Sequence, residues 1–115
     1  MHVLVVDDDA RIVRFISSSL KLAGHSVCIA TCGENALSLV ESDRPDVMVL
    51  DLLMPGIDGF EVLRRLRAAS DVPVVAVSAH TSSAEKALSL GANDFLAKPF
   101  KPDELISRIE SLVKP

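Results

Sequence analysis

Four short stretches of the chain carry side chains able to do polar chemistry: the run Asp7-Asp8-Asp9, Asp51 ahead of Leu52-Leu53-Met54-Pro55-Gly56, Ser78, and Lys98 ahead of Pro99. Each alone has an ordinary structural use. Aspartates before a helix cap it and answer its dipole, and Asp51 could open a turn. Ser78 could be a loop hydroxyl and Lys98 a solvated charge. Gathered in one place they would do something else. Two carboxylates about 5 Å apart repel by roughly 3 kcal/mol at an effective dielectric near 20. Three such groups need a compensating cation or raised pKa values, and one lysine leaves a deficit. Carboxylates plus water make the oxygen-rich set that Mg²⁺ prefers, above all where a phosphoryl group adds ligands. The set offers no soft or imidazole ligand of the kind zinc favours. A carboxylate nucleophile, a hard cation, a lysine and a hydroxyl are the parts of phosphoryl transfer onto an aspartate. In that scheme Asp51 is the acceptor, Asp8 and Asp7 hold Mg²⁺ directly or through water, and Lys98 and Ser78 contact phosphoryl oxygens.

Whether these residues meet depends on the elements that carry them. Apolar runs recur at Val3–Val6, Val27–Ala30, Val47–Leu50, Val74–Val77 and Phe95–Ala97. Most are continuous and Val-rich, the pattern of parallel strands covered on both faces. Helical spacing fills the gaps. The first helix turns Ile12, Val13, Ile16, Leu20 and Ala23 inward and Arg11, Arg14, Ser17 and Lys21 outward, with Asp9 as N-cap and Gly24 as stop. The others are expected at about Asn35–Ser42, Gly59–Ala69, Ser82–Leu90 with Gly91 as its stop, and Pro102–Val113, where Pro102 suits a first helical position. Five strand–helix units imply one α/β domain over residues 1–115, a doubly wound five-stranded parallel sheet, (βα)5, with right-handed crossovers. Ligands of such sheets sit beyond the carboxyl ends of the strands. Asp7–Asp9, Asp51, Ser78 and Lys98 follow the first, third, fourth and fifth strands. They therefore converge on one edge.

Composition narrows the function. In 115 residues, 49% are hydrophobic and 24% charged, which is globular composition. Twelve basic against 16 acidic residues give net −4, so the segment lacks the basic excess that direct nucleic-acid binding draws on. No apolar run approaches the roughly 18 residues of a membrane span, and the start lacks a signal-peptide pattern; a cytoplasmic location with no membrane partner is expected. Cys28 and Cys32, with three residues between them, match neither a CxxC pair nor a zinc pattern and read as two reduced thiols. His2, His25 and His80 are scattered, and no metal role is expected of them.

The motifs Val5-Val6-Asp7-Asp8, Asp51-Leu52-Leu53-Met54-Pro55-Gly56-Ile57-Asp58-Gly59, Val77-Ser78-Ala79 and Lys98-Pro99-Phe100, in this order, resemble a response-regulator receiver domain of the CheY-like kind. The resemblance covers essentially the whole chain. It implies strand order 2-1-3-4-5 and a two-component, phosphorelay role. Asp51 would take a phosphoryl group from a histidine kinase or phosphotransfer protein, assisting its own phosphorylation and dephosphorylation without being an enzyme. Asp8, Asp51 and the Leu53 carbonyl would ligate Mg²⁺, with Asp7 acting through water. Ser78 matches the switch hydroxyl and Phe95 the switch aromatic, so phosphorylation would repack the face of the fourth helix, fifth strand and fifth helix. A cis Lys98–Pro99 bond is implied, and His80, two residues after Ser78, would tune phosphoryl lifetime.

The segment from Gly91 to Ile109 is most similar to receivers of winged-helix transcription regulators, which dimerise on that same face. There Leu88 and Ile106 match apolar contacts, and Asp94 with Arg108 matches an interchain ion pair. Ala84, Glu85 and Asn93 depart from the pattern. Two other readings compete. A dehalogenase-like phosphohydrolase also uses a strand-end Asp, but Ala10-Arg11 and the short chain argue against it. A pseudo-receiver, binding partners without phosphorylation, usually lacks site residues, and here all are filled.

Overall fold

A computed structural model describes residues 1–113. Five strands alternate with five helices: β1 His2–Val6, α1 Ala10–Leu22, β2 Ser26–Ala30, α2 Gly33–Asp43, β3 Val47–Asp51, α3 Gly59–Arg67, β4 Val74–Ser78, α4 Ala84–Ser89, β5 Asp94–Ala97 and α5 Pro102–Val113. All pairings are parallel, in the order β2-β1-β3-β4-β5. The expected doubly wound topology is present.

The period-two geometry of a strand explains the two-sided core. Leu4, Val6, Met48, Leu50, Val74 and Ala76 face one layer, where α2, α3 and α4 contribute Ala36, Val62, Leu63, Leu66 and Ala87. Val3, Val5, Val47, Val49, Val75 and Val77 face the other, against Val13, Ile16 and Leu20 of α1 and Leu105 and Ile109 of α5. β1, β3 and β4 are almost wholly buried, whereas the edge strand β2 keeps Ile29 exposed. Burying a Val or Leu side chain contributes on the order of 1.5–3 kcal/mol. The strands that lead to Asp7, Asp51 and Ser78 are thus the most firmly held.

Local chemistry sets the helix ends. Asp9 Oδ1 accepts from the Arg11 and Ile12 amides at 2.9 and 3.5 Å, as an N-cap should. Asp58 Oδ1 does the same for α3 through the Glu61 amide at 3.0 Å. Gly24, at φ +92°, ends the first unit in the left-handed region. Gly59 answers a tighter demand: a Cβ there would lie 2.6 Å from Leu52 Cα, so only glycine lets α3 start against the chain leaving Asp51.

Three helical expectations are corrected. Ser17 is buried, not outward, and Ala23 is exposed, not inward. The apolar stripe of α1 is narrower than its sequence suggests, and Ser17 sits inside it because it follows Ile16 on the inward turn. The expected Ser82–Leu90 helix begins as a 3₁₀ turn at Thr81–Ser83, and its α-helical part is only Ala84–Ser89. Serine hydroxyls compete for backbone groups and make poor helix starts without a cap bond. Conversely α2 is longer than the expected Asn35–Ser42 and stops at Arg44, φ +48°, before Pro45.

Ser17 Oγ has no hydrogen-bond partner among the described residues. A buried hydroxyl left unpaired costs about 1–3 kcal/mol. Ser17→Ala should therefore raise the urea midpoint, by about 1 kcal/mol of stability at unchanged m value; a loss of stability would show that the hydroxyl is satisfied.

Candidate functional site

The end of β1 turns directly into the cap of α1. Asp7 is 2% exposed, and its Oδ1 accepts from the Asp9 amide at 2.9 Å. Asp51, the last residue of β3, is 5% exposed, and its Oδ1 accepts from the Leu53 amide at 3.3 Å. Asp8 lies at the surface between them. Each of the three offers a carboxylate oxygen within 4.8 Å of the others. Lys98 directly follows the last residue of β5 and precedes a cis bond to Pro99. Its Nζ lies 3.1 Å from Asp7 Oδ2 and 3.4 Å from Asp51 Oδ1. The Lys98 amide donates to the Ser78 carbonyl at 2.9 Å, tying its backbone to the neighbouring strand end.

One ammonium among three carboxylates does not balance the charge. Burial first, and then repulsion from Asp7, push the Asp51 carboxyl up to about 6, against the pull of Lys98 and the Leu53 amide. A donor set of three aspartate oxygens, two of them buried, suits a hard divalent cation such as Mg²⁺ and suits no softer metal. Ser78, 1% exposed, ends β4 one residue past Val77, the register partner of Asp51, and its Oγ accepts from the His80 amide at 3.0 Å, so its own proton is free to be donated. His80 itself is exposed. Phe95 is half-buried against the α2–α3–α4 layer.

Asp7, Asp8, Asp51 and Lys98 are thus brought together, with Ser78 at the neighbouring strand end joined to Lys98 through the backbone, while Asp9, drawn into the same acidic run, serves α1 as its cap. On the candidate dimer face Leu88 is 47% exposed and Ile106 half-buried. The Asp94–Arg108 pair, expected between chains, is made within one: Arg108 Nη1 lies 2.8 Å from Asp94 Oδ1 and 3.2 Å from the Phe95 carbonyl. The reason is that the long Arg108 side chain on α5 reaches the start of β5. Asn93 has a local task instead. Its Oδ1 accepts from Val74 N and Arg67 Nη2, while Arg67 Nε holds the Gly91 carbonyl.

A second group was not legible from spacing. His2, Cys28 and Asp43 each place a ligand-type atom within 4.8 Å of the other two. Both cysteines are free, as expected. The group lies where β1 begins, opposite the carboxyl-end cluster. Only the β1–β2 register, His2 beside Ser26 and Leu4 beside Cys28, brings the first two together.

The model of the response regulator receiver domain matches residues 3–110. The chain belongs to that family. It is 43% identical over 117 residues to "Response regulator MprA" of Mycobacterium avium (strain 104), covering 99% of this chain and 51% of that protein. It is 41% identical over 114 residues to "Probable transcriptional regulator ycf27" of Porphyridium aerugineum, covering 97% of the chain and 48% of the relative. The chain therefore spans about half the length of these relatives. Among solved structures, the Francisella response regulator 1452 receiver domain superposes with a TM-score of 0.92 at 39% identity, covering 98% of this chain and 96% of that one. The BeF3-activated N-terminal receiver domain of Klebsiella pneumoniae RstA does so at 0.94 and 25% identity, over the full length of both. Receiver domains are signalling modules, and no described helix of this one is long and apolar enough to cross a membrane.

The raised Asp51 carboxyl carries a stability consequence. The folded receiver binds this proton more tightly than the unfolded chain does, so stability falls as pH rises from about 4 to about 6 and stays lower above that. Asp51→Asn removes the penalty. Without divalent metal the variant should be more stable than the parent at pH 7–8, on the order of 1–2 kcal/mol, and the gap should close below about pH 4. A thermal melt series over pH checks this; a variant less stable at pH 8 would contradict it.

Proposed function

We propose that this receiver domain is the phospho-acceptor of a two-component pathway, taking a phosphoryl group on Asp51 from a histidine kinase or phosphotransfer protein. What carries the reading is the buried Asp51 carboxylate held beside Asp7, Asp8 and Lys98 at the end of the most buried strands. Asp51 Oδ attacks the phosphorus, the bond from phosphorus to the donor breaks, and the donor nitrogen leaves with the electron pair. Lys98 Nζ, already between Asp7 and Asp51, meets the oxygens that arrive. The Ser78 hydroxyl donates to another, drawing its side chain toward Asp51. Asp7, Asp8, Asp51 and the Leu53 carbonyl are the groups that would hold Mg²⁺, which when bound offsets the negative charge of carboxylates and phosphoryl group alike.

The switch lies next to the acceptor. Movement of Ser78 frees space that the half-buried Phe95 ring can enter, and Phe95 sits on β5 beneath the Arg108–Asp94 pair. That couples the acceptor to the face of α4, β5 and α5, where exposed Leu88 and half-buried Ile106 suit a homodimer formed on phosphorylation. An apolar groove lined by Ile12, Phe15, Ala79 and Phe100 opens beside Lys98 and suits a donor protein resting against α1. The relatives' names fit a regulator of transcription in which an output domain, and not this acidic segment, would meet DNA; a cytoplasmic location suits such a regulator.

Intact mass after incubation with Mg²⁺ and phosphoramidate tests the reading. A gain of one phosphoryl group is expected, lost without Mg²⁺ and lost in Asp51→Asn. No gain, together with no beryllofluoride adduct at Asp51, would turn the reading to a phosphorylation-independent pseudo-receiver.

A further inference from the structure

We infer that His2 Nε2, Cys28 Sγ and an Asp43 carboxylate oxygen form a second metal site, at the end of the sheet opposite Asp51, for a zinc-class divalent ion with water in its fourth position. The inference rests on this geometry and is independent of the phospho-acceptor reading.

The ligand types are the first reason. Thiolate, imidazole and carboxylate together select Zn²⁺, Co²⁺ or Ni²⁺ over Mg²⁺, the reverse of the all-oxygen set at Asp7, Asp8 and Asp51. The spacing is the second. Bonds of about 2.0–2.3 Å to a tetrahedral ion put its ligand atoms roughly 3.3–3.7 Å apart. His2 Nε2 lies 3.6 Å from Asp43 Oδ2, too long for a hydrogen bond and right for two ligands of one ion. All three ligand atoms already lie within 4.8 Å of one another.

The support around the group is the third reason. The His2 amide donates to Asp46 Oδ2 at 2.7 Å, which fixes the backbone. His2 Nδ1 lies 2.7 Å from Ser26 Oγ. With the proton on Nδ1 donated to that hydroxyl, the lone pair of Nε2 faces Asp43 and Cys28, the arrangement usual for a ligating histidine. Cys28 is held in the β1–β2 ladder opposite Leu4. Asp43 closes α2, an 11-residue helix with no basic residue in its last turn, so the negative end of its dipole also favours a cation there. Arg44 follows as the helix cap, in a left-handed conformation at φ +48°.

Cobalt reports on the thiolate directly. The full chain, carrying no affinity tag, is titrated with Co²⁺ in saturating Mg²⁺, so that the aspartate cluster is already filled. A thiolate-to-cobalt charge-transfer band should grow to one equivalent and be displaced by Zn²⁺. Cys28→Ser should abolish the band, and His2→Gln and Asp43→Asn should each weaken Co²⁺ binding tenfold or more. Cys32→Ser and Asp51→Asn should leave band and affinity unchanged. Melts in EDTA establish that each variant folds; Asp43→Asn, at the surface, carries the test should Cys28→Ser not fold. No band at a large excess of Co²⁺, a band that survives Cys28→Ser, or one lost in Cys32→Ser would overturn the site.

Discussion

Carboxylates repel, and this fold drives three of them to one place. Asp51 ends β3 and Asp7 directly follows β1, both strands buried on both faces, so neither can retreat to water without disturbing the sheet. The Lys98 ammonium stands between them and answers part of the charge. Much of the surrounding architecture follows from keeping that arrangement in register. The Lys98 amide is fastened to the end of β4, Asp9 secures α1 and the Asp7 loop at once, and glycine at 59 lets α3 close on the chain leaving Asp51. The unanswered charge makes the site receptive to a hard cation and to the oxygens of a phosphoryl group.

The fold was largely legible because its strands are buried on both faces. Val3–Val6, Val47–Leu50 and Val74–Val77 are apolar without alternation, and few structures other than a covered parallel sheet accommodate that. The weaker elements were misread for physical reasons. Ser17 and Ala23 in α1 depend on how the helix is rotated against α5 and the sheet, which a 3.6-residue period fixes only loosely. The start of α4 depends on backbone competition among Thr81, Ser82 and Ser83, and propensity alone does not resolve such a contest.

The acceptor end was legible for a related reason: in a doubly wound sheet the carboxyl ends of the strands share one edge, so order along the chain stands in for proximity. No such rule covers the amino-terminal edge. His2, Cys28 and Asp43 are separated by 25 and 14 intervening residues with no motif spacing, and only strand register and the length of α2 bring them together. The Asp94–Arg108 pair shows the same limit from the other side: sequence paired the right residues, but only the reach of Arg108 from α5 to the start of β5 shows that one chain can make the contact. The two sheet ends thus present different chemistry, oxygen ligands at one and nitrogen, sulfur and oxygen at the other.

The most direct test of the crowding at Asp51 is a ¹³C NMR titration of its side-chain carboxyl. Without divalent metal the midpoint should lie near 6, well above the ordinary aspartate value, and Mg²⁺ should move it down. A midpoint near 4 that ignores Mg²⁺ would contradict the account, because Asp51 would then feel neither its burial nor its neighbours.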